Sequence, residues 1–556
     1  MNRGLSIIAA LPWPDGEAPP AAATLPELLE YQAATIPDAE ALVAGDKRYT
    51  YRELNAEVGR AAVGLAGLGV VRGSHVALLA PNVSEWVVTA FAAHRLGAVL
   101  ESFNTWVKAW DLRHLLGSSG AEVLVMAPSV RSLDLLSELR ELAPDIWESG
   151  KSAEFPRLRH IVVLDGEFPT PVPPGTIAYS DILVDGPVPV SAALADDTAY
   201  ILYTSGTTSL PKAVPLAHRA LIENGYAIGS RMGLTPADRV WLGSPMFWSY
   251  GCANAAMAAF GHGSCLVLQE RFTPETAAAL MAAESCTAAY LLPSITSAFV
   301  QDALAQIRAV STLRTGLVIG TAEEFRQTSI DLDIAELCNV YGSTETYGNC
   351  CVTAHTMPIE DRMHCQGPPL PGVEVRAVNA ETGEIVPLGE AGEFQVRGRI
   401  MSGYIGNPEA NAEAFTEDGW FRTRDTGLIR PDGTVSFVGR ATDMIKTSGI
   451  NVSPAEVENF IATHPVVAEV GVVGAPHPTR GEVVVAYVVT TPDASISAEE
   501  LIAFCKRALS GFKVPWAIAF VDALPRTSTG KMMRRDLREP AAALVESTLT
   551  QSGVRP

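Results

Sequence analysis

The 556-residue sequence predicts an α/β protein: a large N-terminal domain of mostly parallel sheets flanked by helices, then a small C-terminal α/β domain. Three observations carry that expectation. Between Tyr49 and Ala127, short apolar runs alternate with helix-period stretches, the pattern of strand–helix–strand units. The alternation resumes after residue 440, with Val-rich runs at 470–473 and 483–489. Finally, this length at 47% hydrophobic content is enough for roughly two to four cores. The expected division is a domain of residues 1–439 and a second of residues 440–556.

Lysine and arginine number 41 against 62 aspartates and glutamates, a formal net charge of −21. So acidic a chain is a poor match for nucleic acid, which rewards a basic face. The eight cysteines are scattered and form no Cys-x-x-Cys pair. That argues against a disulfide or zinc scaffold and for a reduced, cytoplasmic setting. The apolar run at 5–11 is too short and too proline-bounded for a signal peptide. Residues 240–269 carry no Asp, Glu, Lys or Arg, long enough to raise the question of a membrane span. Gly243, Pro245, Gly251, Asn254, Gly261 and Gly263 interrupt them, so the stretch reads as a strand, a loop, a buried Ala-rich helix and a second strand. No transmembrane segment is expected.

Taken in order, residues 1–45 form an irregular arm that enters a helix at 25–34. Helical signals follow at 54–68, 86–96 and 112–116, and strand signals at 75–79, 98–103 and 123–126. Gly67-Leu68-Gly69 has no third glycine at dinucleotide spacing, so a Rossmann site is not expected. Strands at 160–164 and 199–203 are separated by a Pro-rich loop at 168–189. The second strand runs into Thr204-Ser205-Gly206-Thr207-Thr208-Ser209-Leu210-Pro211-Lys212. Small residues let backbone N–H groups close on an anion, hydroxyls add donors and Lys212 adds a positive charge. The stretch therefore reads as a polyphosphate cradle or as an ordinary Ser/Thr-rich turn. It lacks the Gly-Lys-Ser/Thr of a Walker loop.

A helix at 218–232 precedes Pro245-Met246-Phe247-Trp248-Ser249-Tyr250-Gly251. Next come a strand ending in Gly320-Thr321-Ala322, the segment Tyr341-Gly342-Ser343-Thr344-Glu345, and Trp420-Phe421-Arg422-Thr423-Arg424-Asp425. The linker Gly439-Arg440-Ala441-Thr442 leads to Lys446-Thr447-Ser448-Gly449. Helices at 454–461 and 498–509 and a strand at 517–521 complete the small domain, which ends on Pro525 to Lys531.

These seven motifs, in this order over about residues 25–540, resemble the adenylate-forming superfamily of acyl-CoA synthetases, adenylation domains and luciferases. The resemblance implies AMP-forming acid–thiol ligase chemistry, with ATP and CoA as substrates and Mg²⁺ as cofactor. Thr204, Ser205, Gly206, Thr207, Thr208 and Lys212 would hold the β- and γ-phosphates. Gly320, Thr321 and Ala322 would lie against adenine, and Tyr341 would stack on the base. Asp425 would accept from both ribose hydroxyls and Arg440 would contact the nucleotide. Thr344 would donate to the α-phosphate, Glu345 would hold Mg²⁺, and Lys531 would bridge the reacting oxygens. Trp248, Ser249, Tyr250 and Gly342 would line the acyl pocket. Thr442 would be the hinge, and Lys446 with Gly449 would face CoA. Acetate-type relatives place a tryptophan where Gly342 stands, so the resemblance implies a larger acid: medium- or long-chain aliphatic, alicyclic or arylalkyl. Gly251, Ala253, Ala255 and Ala256 point to a roomy apolar pocket. Ser209, Ala213, Trp248 and Arg424 depart from the commonest family pattern, and Arg424 receives no role. Arg534, Arg535 and Arg538 either meet CoA phosphates or form a solvated helix face. The expected partners are a small-molecule carboxylic acid, ATP and CoA, with a homodimer left open. Two rivals remain: an amide synthetase using the same adenylate, and a catalytically silent nucleotide-binding regulator.

Overall fold

A computed structural model describes residues 4–14, 16–166, 171–204, 211–320, 322–440, 445–452, 454–491, 494–525 and 532–551. The chain divides into two compact units. The first comprises Met1–Thr105, Leu116–Tyr203 and Ala213–Gly439. The second comprises Trp106–Leu115, Thr204–Lys212 and Arg440–Pro556.

Among the described residues, three large sheets and a two-stranded ribbon, Ser129–Val130 with Leu133–Asp134, build the first unit. One has seven strands, with Val123–Met126, His75–Leu79, Val99–Ser102 and Thr198–Thr204 paired in parallel. A second has eight, of which Glu336–Tyr341, Thr315–Val318, Ala288–Leu291, Arg239–Leu242, Cys265–Leu268 and Glu40–Ala44 run parallel. Parallel strands are covered on both faces, which is why they read as continuous apolar runs. Trp241, Val267, Phe299, Phe325 and Leu337 fill one such layer. The third sheet has five strands, with Glu374–Val378, Ala391–Arg397 and Phe421–Ile429 antiparallel. Glu393-Phe394-Gln395-Val396-Arg397 alternates polar and apolar, the period of a half-buried strand, although no strand was expected there.

The helices start where their caps lie. Thr24 accepts from Glu27 N ahead of the helix Leu25–Thr35. A Thr50–Glu53 capping box starts the helix Tyr51–Gly67 one turn before the apolar pattern begins. The uncharged stretch resolves into the strand Arg239–Leu242, a helix ending at His262 and the strand Cys265–Leu268. Among the described residues, no helix is long and apolar enough to cross a membrane. All eight cysteines are unpaired and buried.

In the second unit, Val467–His477 and Gly481–Thr490 pair antiparallel. Both strands are apolar on both faces. Val470, Val472, Val484, Ala486 and Val488 pack with the helices Pro454–Ile461 and Ala498–Ala508. Val473, Ala475, Val483 and Val485 pack with the helix Arg535–Gln551.

Candidate active site

The site is organised by the parallel strand Glu336–Tyr341 and the turn after it. A single 3₁₀ turn, Thr344–Thr346, ends on Tyr347, whose φ of +60° is left-handed. Thr346 Oγ1 closes the turn by accepting from Ser343 N at 2.9 Å. Its exit is clamped from outside: Asn224 Nδ2 donates to Tyr347 O at 3.0 Å and Asn349 O at 3.1 Å. Arg399 donates to Asn224 Oδ1 at 3.3 Å and to Pro371 O at 2.7 Å. Thr344 and Glu345 are thus carried on a braced turn.

Several of the expected site residues then find partners. The Thr344 and Ser249 hydroxyls lie 3.2 Å apart. Tyr404 Oη donates to Glu345 Oε1 at 2.9 Å. Tyr404 is itself pinned, because Asn411 Oδ1 accepts from its N–H at 2.7 Å and Asn411 Nδ2 donates to its carbonyl at 2.9 Å. The Tyr341 hydroxyl donates to the buried Asp425 Oδ2 at 3.0 Å. Burial and the Asp425 carboxylate push that hydroxyl up, so it stays a donor. Phe437 stacks on the Tyr341 ring, centroids 5.9 Å apart, and Phe394 meets it edge-on at 5.2 Å. Tyr341, expected to stack on a base, is a buried post that fixes Asp425.

The Pro245 turn is set by Asn82, whose Nδ2 donates to Ser244 O at 2.9 Å and whose Oδ1 accepts from Met246 N at 2.8 Å. Trp248 is half-buried, edge-on to Phe247. Tyr250, expected in the acyl wall, has its hydroxyl committed elsewhere: it sits 3.0 Å from both Leu291 O and Leu317 O, at the ends of two parallel strands. After it the helix opens to π pitch over Tyr250–Ala255, a device common at functional sites.

Two glycines taken as signs of a roomy pocket have packing reasons instead. A Cβ at Gly342 would stand 2.4 Å from Gly348 O and 2.6 Å from Asn349 Cα, and one at Gly251 would stand 2.4 Å from Pro245 O. Neither site accepts a side chain without backbone movement. Arg424 stands where the family pattern has glycine, and its φ of +58° supplies the reason. It adopts the left-handed conformation and pairs with Glu413 at 2.7 Å.

Thr204 ends its strand, next to Tyr203, whose hydroxyl donates to buried Glu101. Lys212 begins the next strand. Gly320 follows the strand Thr315–Val318, and Ala322 begins the helix to Asp331. Ser205, Gly206, Thr207, Thr208, Thr321, Thr442 and Lys531 lie outside the described residues. In the second unit, Arg440 ends the strand that starts at Val435. Lys446 is exposed on a hairpin, Ile445–Thr447 with Ile450–Val452, whose turn residues Ser448 and Gly449 have φ of +50° and +81°. Two positive φ values in a two-residue turn are the I′ geometry, which itself calls for glycine at 449.

Among the described residues, no three His, Cys, Asp or Glu side chains cluster as a metal cage. A single oriented carboxylate fits Mg²⁺, which is held by one or two carboxylates together with substrate phosphates. Tyr404, Asn82, Asn224, Arg399 and Asn411 are the residues that sequence reasoning missed.

The model of the AMP-binding enzyme family matches residues 29–405, and that of the AMP-binding enzyme C-terminal domain matches residues 456–531. The putative acyl-CoA synthetase YngI of Bacillus subtilis is 31% identical over 95% of this chain and 99% of its own length. The mitochondrial medium-chain acyl-CoA ligase ACSF2 of Bos taurus is 31% identical over 93% of this chain and 87% of its own. Among solved structures, a double mutant of the o-succinylbenzoate CoA synthetase MenE from Bacillus subtilis superposes with a TM-score of 0.77. It shares 26% identity, over 92% of this chain and 98% of MenE. The chain belongs to the AMP-binding enzyme family of the adenylate-forming superfamily and is an enzyme of the acyl-CoA synthetase type.

Proposed function

We propose that this enzyme joins a medium-sized carboxylic acid to CoA through an acyl-adenylate, at the expense of ATP. The observation that carries the reading is the braced Thr344–Glu345 turn with Asp425 fixed on Tyr341. Such a site positions a nucleotide rather than performing proton chemistry. The acid's carboxylate oxygen attacks the α-phosphorus, and the bond to pyrophosphate breaks. Catalysis then consists of alignment and charge stabilisation. In this reading Asp425 receives the ribose hydroxyls, and Thr344 donates to the α-phosphate. Glu345 would hold Mg²⁺, which supplies charge neutralisation on the phosphates. Lys531 supplies the cation at the transition state. The size of the acid is supported by the medium-chain name of a relative and by the family resemblance. Gly342 lends it little, because packing already requires glycine there.

The test is acid-dependent pyrophosphate release across a panel of carboxylates, with and without CoA, and with amines in place of CoA. Release with a medium-sized acid, and thioester formation with CoA alone, is the expected result. Capture by amines and not by CoA would overturn the acceptor. Lys531→Ala should slow adenylation by a few hundredfold, about 3–4 kcal/mol. Thioester formation from supplied acyl-AMP should survive. A leucine at 449 is a poor probe of CoA passage, because it would strain the hairpin turn.

A further inference from the structure

We propose that Asn254 selects an acid carrying a hydroxyl or carboxamide on its middle carbons, in preference to a purely hydrocarbon acid. The inference rests on the ligase reading above and names its substrate class. Asn254 is 0% exposed, and neither its Nδ2 nor its Oδ1 has a hydrogen-bond partner among the described residues. Exchanging the two amide atoms does not change this, since both are unpartnered. Buried amides are almost always satisfied, and an orphaned one is costly.

Its position points to the acid. Asn254 lies on the π-helical segment five residues after Ser249. A π-helix bonds i to i+5, so the two side chains share a face. Ser249 meets Thr344, the residue assigned to the reacting phosphate. On the other side the Asn254 amide rests on Gly348, where a Cβ would come 2.5 Å from Nδ2, in the segment after the catalytic turn. Glycine at 348, already favoured by its φ of +91°, also leaves room for this amide. Two more buried polar tips flank the region without hydrogen-bond partners among the described residues: Asn349 Nδ2, next in the chain, and Tyr290 Oη, whose ring meets Tyr250 edge-on at 5.0 Å. Five residues of helix advance at most about 7.5 Å, which aims the amide at the acid's middle carbons rather than its far end. An Asn side chain offers one carbonyl acceptor and two N–H donors, so its natural complement both donates and accepts.

The experiment uses the full chain and matched pairs of acids: each hydrocarbon parent against its hydroxy or carboxamide analogues, substituted in turn at the third to sixth carbons. The readout is the ratio of kcat/KM, analogue to parent, in acid-dependent pyrophosphate release. The wild type should favour one analogue by at least about tenfold, since a site built to hydrogen-bond discriminates strongly against a ligand lacking the group. Asn254→Leu should bring the ratio to one or below, and Asn254→Thr should fall between. A wild type that prefers every parent overturns the proposal, as does a ratio that Asn254→Leu leaves unmoved. The wild-type ratio decides the matter if the variants do not fold. Release with parents only sinks this inference and leaves the ligase reading standing, whereas no release with any acid sinks both.

Discussion

Two of the places where this molecule buries polar groups do so in opposite ways. In the second unit, the Lys513 ammonium donates to Asp111 Oδ1 at 2.8 Å and to Glu456 Oε1 at 2.6 Å. The Ser510 hydroxyl adds to the same cluster, 3.1 Å from Asp111 Oδ2 and 2.6 Å from Trp106 O. Burial alone would lower the lysine, but the two carboxylates outweigh it and hold it above its ordinary value. Burial raises Glu456. In the first unit, Asn254 is buried as well, packed on Gly348, and its amide has no hydrogen-bond partner among the described residues. A fold can hold charge inside only when the partners are built with it, whereas a neutral amide can be left open for a ligand at a smaller cost.

The largest effect should come from breaking the triad. Lys513→Met leaves two carboxylates buried without their cation and should cost about 3–5 kcal/mol, read from denaturant unfolding of the second unit. Adding Asp111→Asn and Glu456→Gln on that background should recover much of the loss. A cost below about 1 kcal/mol for Lys513→Met would mean the cluster is solvated, and the contrast with Asn254 would collapse.

A third kind of buried polar group lies between these extremes. His94 Nε2 sits 3.0 Å from Ala199 O, and Leu25 N donates to His218 Nδ1 at 3.4 Å. The two rings are 5.2 Å apart, and each has one nitrogen without a partner among the described residues. Burial drives His94 well below its ordinary value and His218 down to about 4. The unfolded imidazoles take up protons near pH 6.5, but the folded His218 does so only near 4. This stability is therefore complete above about pH 6.5 and falls as the pH drops toward 4. For His218 the loss should be on the order of 3 kcal/mol. The denaturant midpoint should decline over that window, and His218→Gln should flatten the decline. A midpoint unchanged down to pH 4 would show that the histidines are not shielded.

What the sequence revealed follows the same division. The parallel strands were legible because Val123–Met126 and His75–Leu79 are apolar runs buried on both faces. The antiparallel strand Phe421–Ile429 was not, because the polar residues Arg422, Thr423, Arg424 and Asp425 interrupt its apolar run. Tyr341, Thr344, Glu345 and Asp425 stood out because they are contiguous with small or aromatic residues in a recognisable order. Tyr404, Asn82, Asn224 and Arg399 did not, since a single polar residue carries no period and its partner is remote in sequence. The same holds for Lys513 and Asp111, 402 residues apart. The left-handed φ at Arg424 and at Gly449 is likewise a property of the folded turn.

A smaller effect is expected at the open amide itself. Asn254→Leu removes two unpaired polar atoms and keeps the heavy-atom count and branching, so, less the strain of its bulkier methyl groups, it should leave stability unchanged or raise it by up to about 2 kcal/mol. That sign is opposite to the one for Lys513→Met. If the leucine variant lost more than about 1 kcal/mol, Asn254 would be satisfied in the free enzyme and its openness to a ligand would be disproved.

The smallest effect separates buried charge from exposed charge. Arg424 pairs with Glu413 at 2.7 Å, but both side chains are well exposed, 39% and 68%. Such a pair contributes about 0–1 kcal/mol. Against it stands the left-handed backbone at 424, which costs a side-chain-bearing residue about 1–2 kcal/mol. Glycine would relieve that strain but give back about 0.5–1 kcal/mol through the greater freedom of the unfolded chain. The three terms nearly cancel, so Arg424→Gly should change stability by less than about 1 kcal/mol, on the stabilising side if the ion pair is weak. Arg424→Ala keeps the strain and loses the pair, so it should be the less stable of the two. Comparing both variants with the wild type by thermal unfolding checks the order. Should Arg424→Gly lose more than about 2 kcal/mol, this arginine would be holding Asp425 in place, and the line drawn between exposed and buried charge would have to move.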